Sequence, residues 1–248
     1  MNNKYTFCLL AFCLMCVCCS CTKIDYDKQN LIQNSLAIEN QITEGDYCYQ
    51  VQNDTVKIIR FLGDEEEVII PGTLNNMQVK VIGENAFYQR KEMKKLVLPE
   101  SITAIEDNAF YRCSSLENVF LPKNIQKIGE NPFFRCSALE HISVDSESRD
   151  FKDIDGVLFS ADQTVLLVYP EGMRNDNYTI PDTVKIIMNS AFGYFPSYLQ
   201  SLVIRGNVEK MPDGDLFAYP NDRLTLLVES DSEAKRFAEK HGIMFKEI

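Results

Sequence analysis

The 248-residue chain contains no tryptophan and only two histidines, His141 and His241. They lie on separate segments, and neither belongs to a His-x-Glu or Glu-x-x-His spacing. No Gly-x-Ser-x-Gly elbow and no glycine-rich phosphate loop is present. The common sequence marks of hydrolytic, zinc and nucleotide chemistry are therefore missing. Positive charge is short as well: 25 Lys and Arg stand against 36 Asp and Glu, a net charge of −11. Such a surface repels phosphate backbones, which argues against nucleic acid as a partner and against docking on anionic lipid through basic residues. Cysteine is scarce where a disulfide framework would need it. Six of nine cysteines precede residue 22, and only Cys48, Cys113 and Cys136 follow. Beyond Cys19 no apolar run approaches the roughly 20 residues of a membrane-spanning helix.

What the start does contain is Lys4 followed by a nearly unbroken apolar stretch from Tyr5 to Cys19. A short positive region and a short apolar core mark residues 1–21 as a secretory signal. The segment closes on Cys18-Cys19-Ser20-Cys21-Thr22, which resembles the signal of bacterial lipoproteins. That resemblance implies acylation of Cys21, with Cys19 as the alternative, and a lipid anchor in the cell envelope, at the outer membrane. The lipid would be the chain's sole membrane contact. Residues 22–44 are polar and without period, and read as a spacer.

A period of 23 residues governs the middle of the chain. Phe87, Phe110 and Phe133 share it, as do Ile82, Ile105 and Ile128. So do Met93, Leu116 and Leu139, then Leu96, Val119 and Ile142, then Leu98, Leu121 and Val144. A unit this short cannot bury its own apolar face, and stacking aligns the columns into one core. Alternation in Leu116-x-x-Val119-x-Leu121 marks a short strand with Val119 and Leu121 inward, ended by Pro122. The frame returns at Ile187, Phe192, Leu199, Leu202 and Ile204, and more loosely at Met211, Phe217, Leu224, Leu226 and Val228. The expected fold is therefore an α/β or mainly-β solenoid of parallel strands over 68–229, with a degenerate insertion at about 145–179. Residues 45–67 read as an N-terminal hairpin cap, with Tyr47 to Gln52 and Val56 to Leu62 as strands around Asn53-Asp54. Residues 230–248 read as a C-terminal cap. A helix there starts at Asp231 or Ser232, runs through Lys240 and ends before Gly242, with a final strand over 244–248.

The units read x-Leu-Pro-x-x-Ile-x-x-Ile-x-x-x-Ala-Phe-x-x-Cys-Ser-x-Leu-x-x-Val, carried by Ile105, Ala109, Phe110, Cys113, Ser114, Leu116 and Val119 and repeated through Leu139. They resemble the BspA-like leucine-rich repeats of bacterial surface proteins. The segments Ile154 to Phe159 and Val168-Tyr169-Pro170 resemble a variant unit of that family, and Val68-Ile69-Ile70-Pro71 its first strand. The resemblance implies a curved, right-handed array, a surface location and a role in adhesion or binding. It names no ligand and implies no cofactor.

Several columns could carry more than packing. Cys113 and Cys136 sit one unit apart, as a buried thiol ladder or as a disulfide, since adjacent rungs lie about 4.8 Å apart. Glu84, Asp107 and Glu130 form either a solvated acidic edge or a cation site. Asn85, Asn108 and Asn131 are placed to satisfy backbone groups at a bend. If the strand residues above point inward, their alternates point out: Lys95, Val97, Asn118, Phe120, His141, Ser143, Ser201, Val203, Thr225 and Leu227. The column Val97, Phe120, Ser143, Val203, Leu227 is largely apolar, and this face is the expected site for a protein or glycan partner. The chain reads as a non-enzymatic binding protein; a structural subunit of an envelope complex is the alternative, and an enzyme or carbohydrate-processing accessory the remote one.

Overall fold

A computed structural model describes residues 41–248, apart from 190, 195, 197 and 213–222. The signal segment, most of the spacer, the candidate lipid sites Cys19 and Cys21, and Phe217 lie outside the described residues.

The periodic columns become a spine. The Phe87 and Phe110 rings stack at 5.1 Å and the Phe110 and Phe133 rings at 5.4 Å. Phe61 extends the pile by one member, 5.1 Å from Phe87. All four are buried with Ile82, Ile105, Leu116 and Leu139 in one cluster. Each such side chain contributes about 1.5–3 kcal/mol by leaving water, so the column supplies the first-order reason for the fold.

Two sides of each turn are strands, and the chain is a mainly-β solenoid. On one side Glu67–Ile69, Lys95–Val97, Asn118–Leu121 and His141–Val144 form a parallel sheet in sequence order. On the return side Thr55–Phe61, Met77–Ile82, Ala104–Ile105 and Lys127–Ile128 do the same. Tyr47–Gln52 pairs antiparallel with Thr55–Phe61 around Asn53 and Asp54, both at positive φ, as the hairpin reading requires. Ile42–Glu44, read in the sequence as the end of the spacer, adds a third strand to that hairpin.

Between the two sides the chain turns through left-handed backbone at fixed places. Asn85, Asn108 and Asn131 have φ of 55°, 54° and 52°, a region that asparagine enters more readily than most residues. Gln89, Arg112 and Arg135 form a second such column at 59°, 62° and 62°. Backbone bonds then run along the stack: Phe87 N–H donates to Ala109, and Phe110 N–H to Pro132, at 2.8 and 2.9 Å. Pro132, which stands where the two preceding units have Ala86 and Ala109, keeps its carbonyl and so leaves this ladder intact.

The insertion is a hairpin wall. Phe151–Ile154 and Val157–Ser160 pair antiparallel across Asp155-Gly156, and Val165–Val168 adds on. Alternation in the middle strand serves two cores: Leu158 joins the first cluster, while Val157 and Phe159 join a second. That second core continues the solenoid. Val165–Val168 pairs parallel with Ile186–Ile187 on the return side. Asn177–Thr179, Ser201–Ile204, Thr225–Val228 and Phe245–Glu247 form the other parallel sheet. A helix at Glu233–His241 is capped by the Ser232 hydroxyl, which accepts the Lys235 N–H at 3.1 Å, and ends at left-handed Gly242. Its Ala234, Phe237 and Ala238 are buried in the second core.

Candidate binding face

The exposed face is a consequence of pleating. Leu96, Val119, Leu121 and Ile142 point into the core, so the residues between them point out. Ile69, Val97 and Phe120 are 62%, 37% and 47% exposed. Register puts Ile69 beside Val97 and Phe120 beside Ser143. Because Lys95 pairs with Asn118, Val97 and Phe120 are neighbours too. The result is an uninterrupted apolar ladder of three rungs, ending at half-exposed Ser143, whose hydroxyl donates to the Val119 carbonyl at 3.4 Å. A parallel polar column runs beside it: Glu67, Lys95, Asn118 and His141. Lys95 and Glu67 pair at 2.5 Å, and Lys94 with Glu66 at 2.8 Å. Exposed pairs of this kind add little to stability, but they set the rim of the ladder in one sign-alternating pattern.

The expected column is divided. Val203 and Leu227 are register partners, flanked by Thr179 and Lys246, and Ser201 pairs with Thr225. These four are half-exposed and belong to the second parallel sheet. Among the described residues no strand pairing joins that sheet to His141–Val144. Contacts from the insertion do so instead: the Gly172 N–H donates to the Leu139 carbonyl at 2.8 Å, and the Arg174 side chain pairs with the Glu140 carboxylate at 2.7 Å. The turn of the inserted hairpin also reaches the face. A Cβ on Gly156 would lie 2.3 Å from His141 Nδ1, so this imidazole rests against the Gly156 backbone. The order within the column holds, therefore, but the insertion splits it into Ile69-Val97-Phe120-Ser143 and Val203-Leu227. Ile69 is the most exposed of these and was missed. The same alternation, applied to Val68-Ile69-Ile70, would have found it.

The other columns resolve toward structure. Cys113 and Cys136 are free and buried; each thiol donates to a carbonyl, of Phe87 at 3.1 Å and of Phe110 at 3.2 Å. Asp107 accepts the Glu130 N–H at 2.8 Å, and Glu106 the Glu84 N–H at 3.1 Å, so acidic side chains here cap the backbone of a neighbouring turn. Among the described residues no three His, Cys, Asp or Glu are grouped to hold a metal ion. His241 stacks on Phe237 at 4.3 Å, within the helix face. No described helix is long and apolar enough to cross a membrane. One buried carboxyl lay beyond sequence reasoning: Glu171, a lone acid between Pro170 and Gly172, carries no spacing that announces it.

A family model agrees with the repeat architecture. Residues 66–175 match the model of the BspA type leucine rich repeat region, in 6 copies. No curated protein matches the chain. Among solved structures, a leucine rich cell surface protein from Faecalibacterium prausnitzii is 19% identical with a TM-score of 0.47, covering 77% of this chain and 76% of that one. A leucine-rich repeat protein from Eubacterium ventriosum is 16% identical with a TM-score of 0.46, over 76% and 65%. The leucine rich repeat protein of T. pallidum is 16% identical with a TM-score of 0.39, over 84% and 98%.

Proposed function

From a chain whose residues 66–175 are BspA-type leucine-rich repeats, we propose a non-enzymatic binding protein of the bacterial cell envelope, exported and lipid-anchored through Cys21 or Cys19. Its contact surface is the strand face, and the partner is a protein or a glycan. The observation that carries this reading is the exposed ladder Ile69-Val97-Phe120, laid out at rung spacing on a parallel sheet. Isolated exposed apolar residues are ordinary, but an ordered row with a polar rim has the composition of an interface core. Lys95, Asn118, His141 and Ser143 select the partner beside it. Ser201, Val203, Thr225 and Leu227 form a second patch that engages the same partner across the insertion. The N-terminal hairpin and the C-terminal helix act as covers for the ends of the array, since uncovered rungs would expose core.

The test is capture from envelope extracts by the full chain and by Phe120→Asp. Loss of a stoichiometric partner with the variant, at unchanged folding, supports the face. Equal capture by both proteins refutes it. A structural subunit of an envelope complex is the second reading, and one observation favours it. The last strand, Phe245–Glu247, has only Thr225–Val228 as a described neighbour, and Met244 and Ile248 beside it are exposed. A partner that survives Phe120→Asp but is lost on Met244→Asp would select that reading.

A further inference from the structure

Independently of any partner, the joint between the two blocks is built on a side chain that the binding face does not use. Glu171 is 5% exposed, and its Oε1 accepts the backbone N–H of Arg135 and of Tyr194, each at 2.7 Å. One unit earlier the equivalent residue, Arg112, donates its N–H to the carbonyl of Phe134 at 2.9 Å, and before that Gln89 donates to Tyr111. Glu171 thus puts a side-chain oxygen where the regular stack uses main chain. Gly193 fits the same arrangement: at φ +64° it has no Cβ, and a Cβ there would sit 2.3 Å from the carboxylate. Beside Glu171 lies a cavity of about 20 Å³, walled by Asn131, Phe133, Leu139, Tyr169 and Asn189. That is room for about one water molecule.

We propose that Glu171 is a proton-operated joint: neutral, it clamps the turn at 131–136 to the turn at 191–194, and ionised, it lets the two turns part locally. Among the described residues few groups face it. The Arg135 guanidinium, 3.8 Å over the Tyr194 ring, favours the anion. The Cys136 thiol is held protonated, first by its own burial. The cavity wall is otherwise amide and hydrocarbon, together with the Tyr169 phenol, which burial pushes up to about 12 and so keeps neutral. Burial outweighs the two N–H donors and Arg135, and raises the carboxyl from 4.5 to about 7. A neutral carboxyl keeps its carbonyl oxygen for both N–H groups and turns its hydroxyl to the cavity. An opened joint titrates as an ordinary carboxylate. Closure therefore takes up a proton between those two values: the clamp is tightest below 4.5 and is lost as pH rises through about 7.

Amide exchange on the full chain tests this, with Arg112 as the internal reference for Arg135. After correction for intrinsic exchange, the opening equilibrium at Arg135 relative to Arg112 rises roughly fortyfold from about pH 5 to about pH 7. Glu171→Gln, which keeps the accepting oxygen and removes the titration, abolishes the rise. A pH response shared equally by Arg135 and Arg112, or one retained in the Gln variant, overturns the proposal. Should the variant not fold, carbon NMR of the Glu171 carboxyl in the unaltered chain decides: a midpoint near 7 supports the joint, and one near the ordinary carboxylate value overturns it.

Discussion

The two blocks on either side of the insertion solve one packing problem in different ways. In the first, the same residue recurs at each place: four phenylalanines stack at 5.1, 5.1 and 5.4 Å, and the turns repeat Asn and Gln or Arg at matching left-handed positions. In the second, places persist while residues change. Tyr169 stacks on Phe192 at 5.0 Å and also leans on Tyr178 at 4.9 Å, and Gly193 takes a left-handed turn position at φ 64°. What stacking enforces is a filled column at each rung. Identity of the side chain is enforced only where every neighbouring rung has the same shape.

The largest effect is expected where the column is most uniform. Phe110→Ala removes a ring sandwiched between two others and should lower unfolding free energy by about 3–5 kcal/mol, read from urea midpoints. Since each unit touches only its neighbours, the damage should be local. Amide protection should fall in Lys95–Val97 and Asn118–Leu121 and persist in Thr225–Val228. Equal loss in both blocks would show that the array unfolds as one cooperative unit and that the comparison between blocks has no energetic meaning.

Next in size is the joint. Burial raises the Glu171 carboxyl to about 7 from 4.5, so the folded chain holds a proton there that the unfolded chain releases. Its stabilising contribution is whole below the lower value and disappears through the upper one. Relative to the unaltered chain, Glu171→Gln should therefore gain about 2–3 kcal/mol between about pH 5 and about pH 8, measured by denaturant unfolding at each pH. Parallel pH profiles for the two proteins would remove the charge from the account of the joint.

The regular block was legible because its physics is repetitive. The 23-residue spacing of Phe87, Phe110 and Phe133, and the alternation around Val119 and Leu121, each follow from one geometric constraint applied again and again. The hairpin at Asn53-Asp54 and the Ser232 cap were legible from local turn and cap chemistry. The split of the outward column was not, because it depends on how residues 151–174 fold back between rungs, a long-range event with no period. Glu171 was invisible for the same reason. Its two N–H partners lie 36 residues before it and 23 after it, in turns that only the folded insertion brings together. Phe61 escaped because it stands in the hairpin, outside the repeat frame, and joins the aromatic pile only once that hairpin docks.

A smaller effect separates conformation from packing. Asn108 sits at φ 54° and is 6% exposed. Alanine there gains no local hydrogen bonding to offset the left-handed backbone, and about 1–2 kcal/mol should be lost, seen as a drop in Tm. Glycine relieves the strain but not the lost side chain, so Asn108→Gly should fall between the two. If alanine were as stable as asparagine, the column at 85, 108 and 131 would be a coincidence of sequence rather than a requirement of the turn.

The smallest expected change in stability is the most informative about function. Phe120 is 47% exposed while its neighbour Val119 is 1% exposed, because the two occupy opposite sides of one strand. Phe120→Thr keeps strand propensity and removes the ring, so unfolding free energy should move by no more than about 0.5 kcal/mol. Val119→Thr places a hydroxyl in the core and should cost about 1–3 kcal/mol. If the outward ladder existed to stabilise the sheet, Phe120→Thr would cost as much as Val119→Thr. A silent Phe120→Thr means that folding does not require the ring, and leaves recognition as the property on which the ladder Ile69-Val97-Phe120 is to be tested.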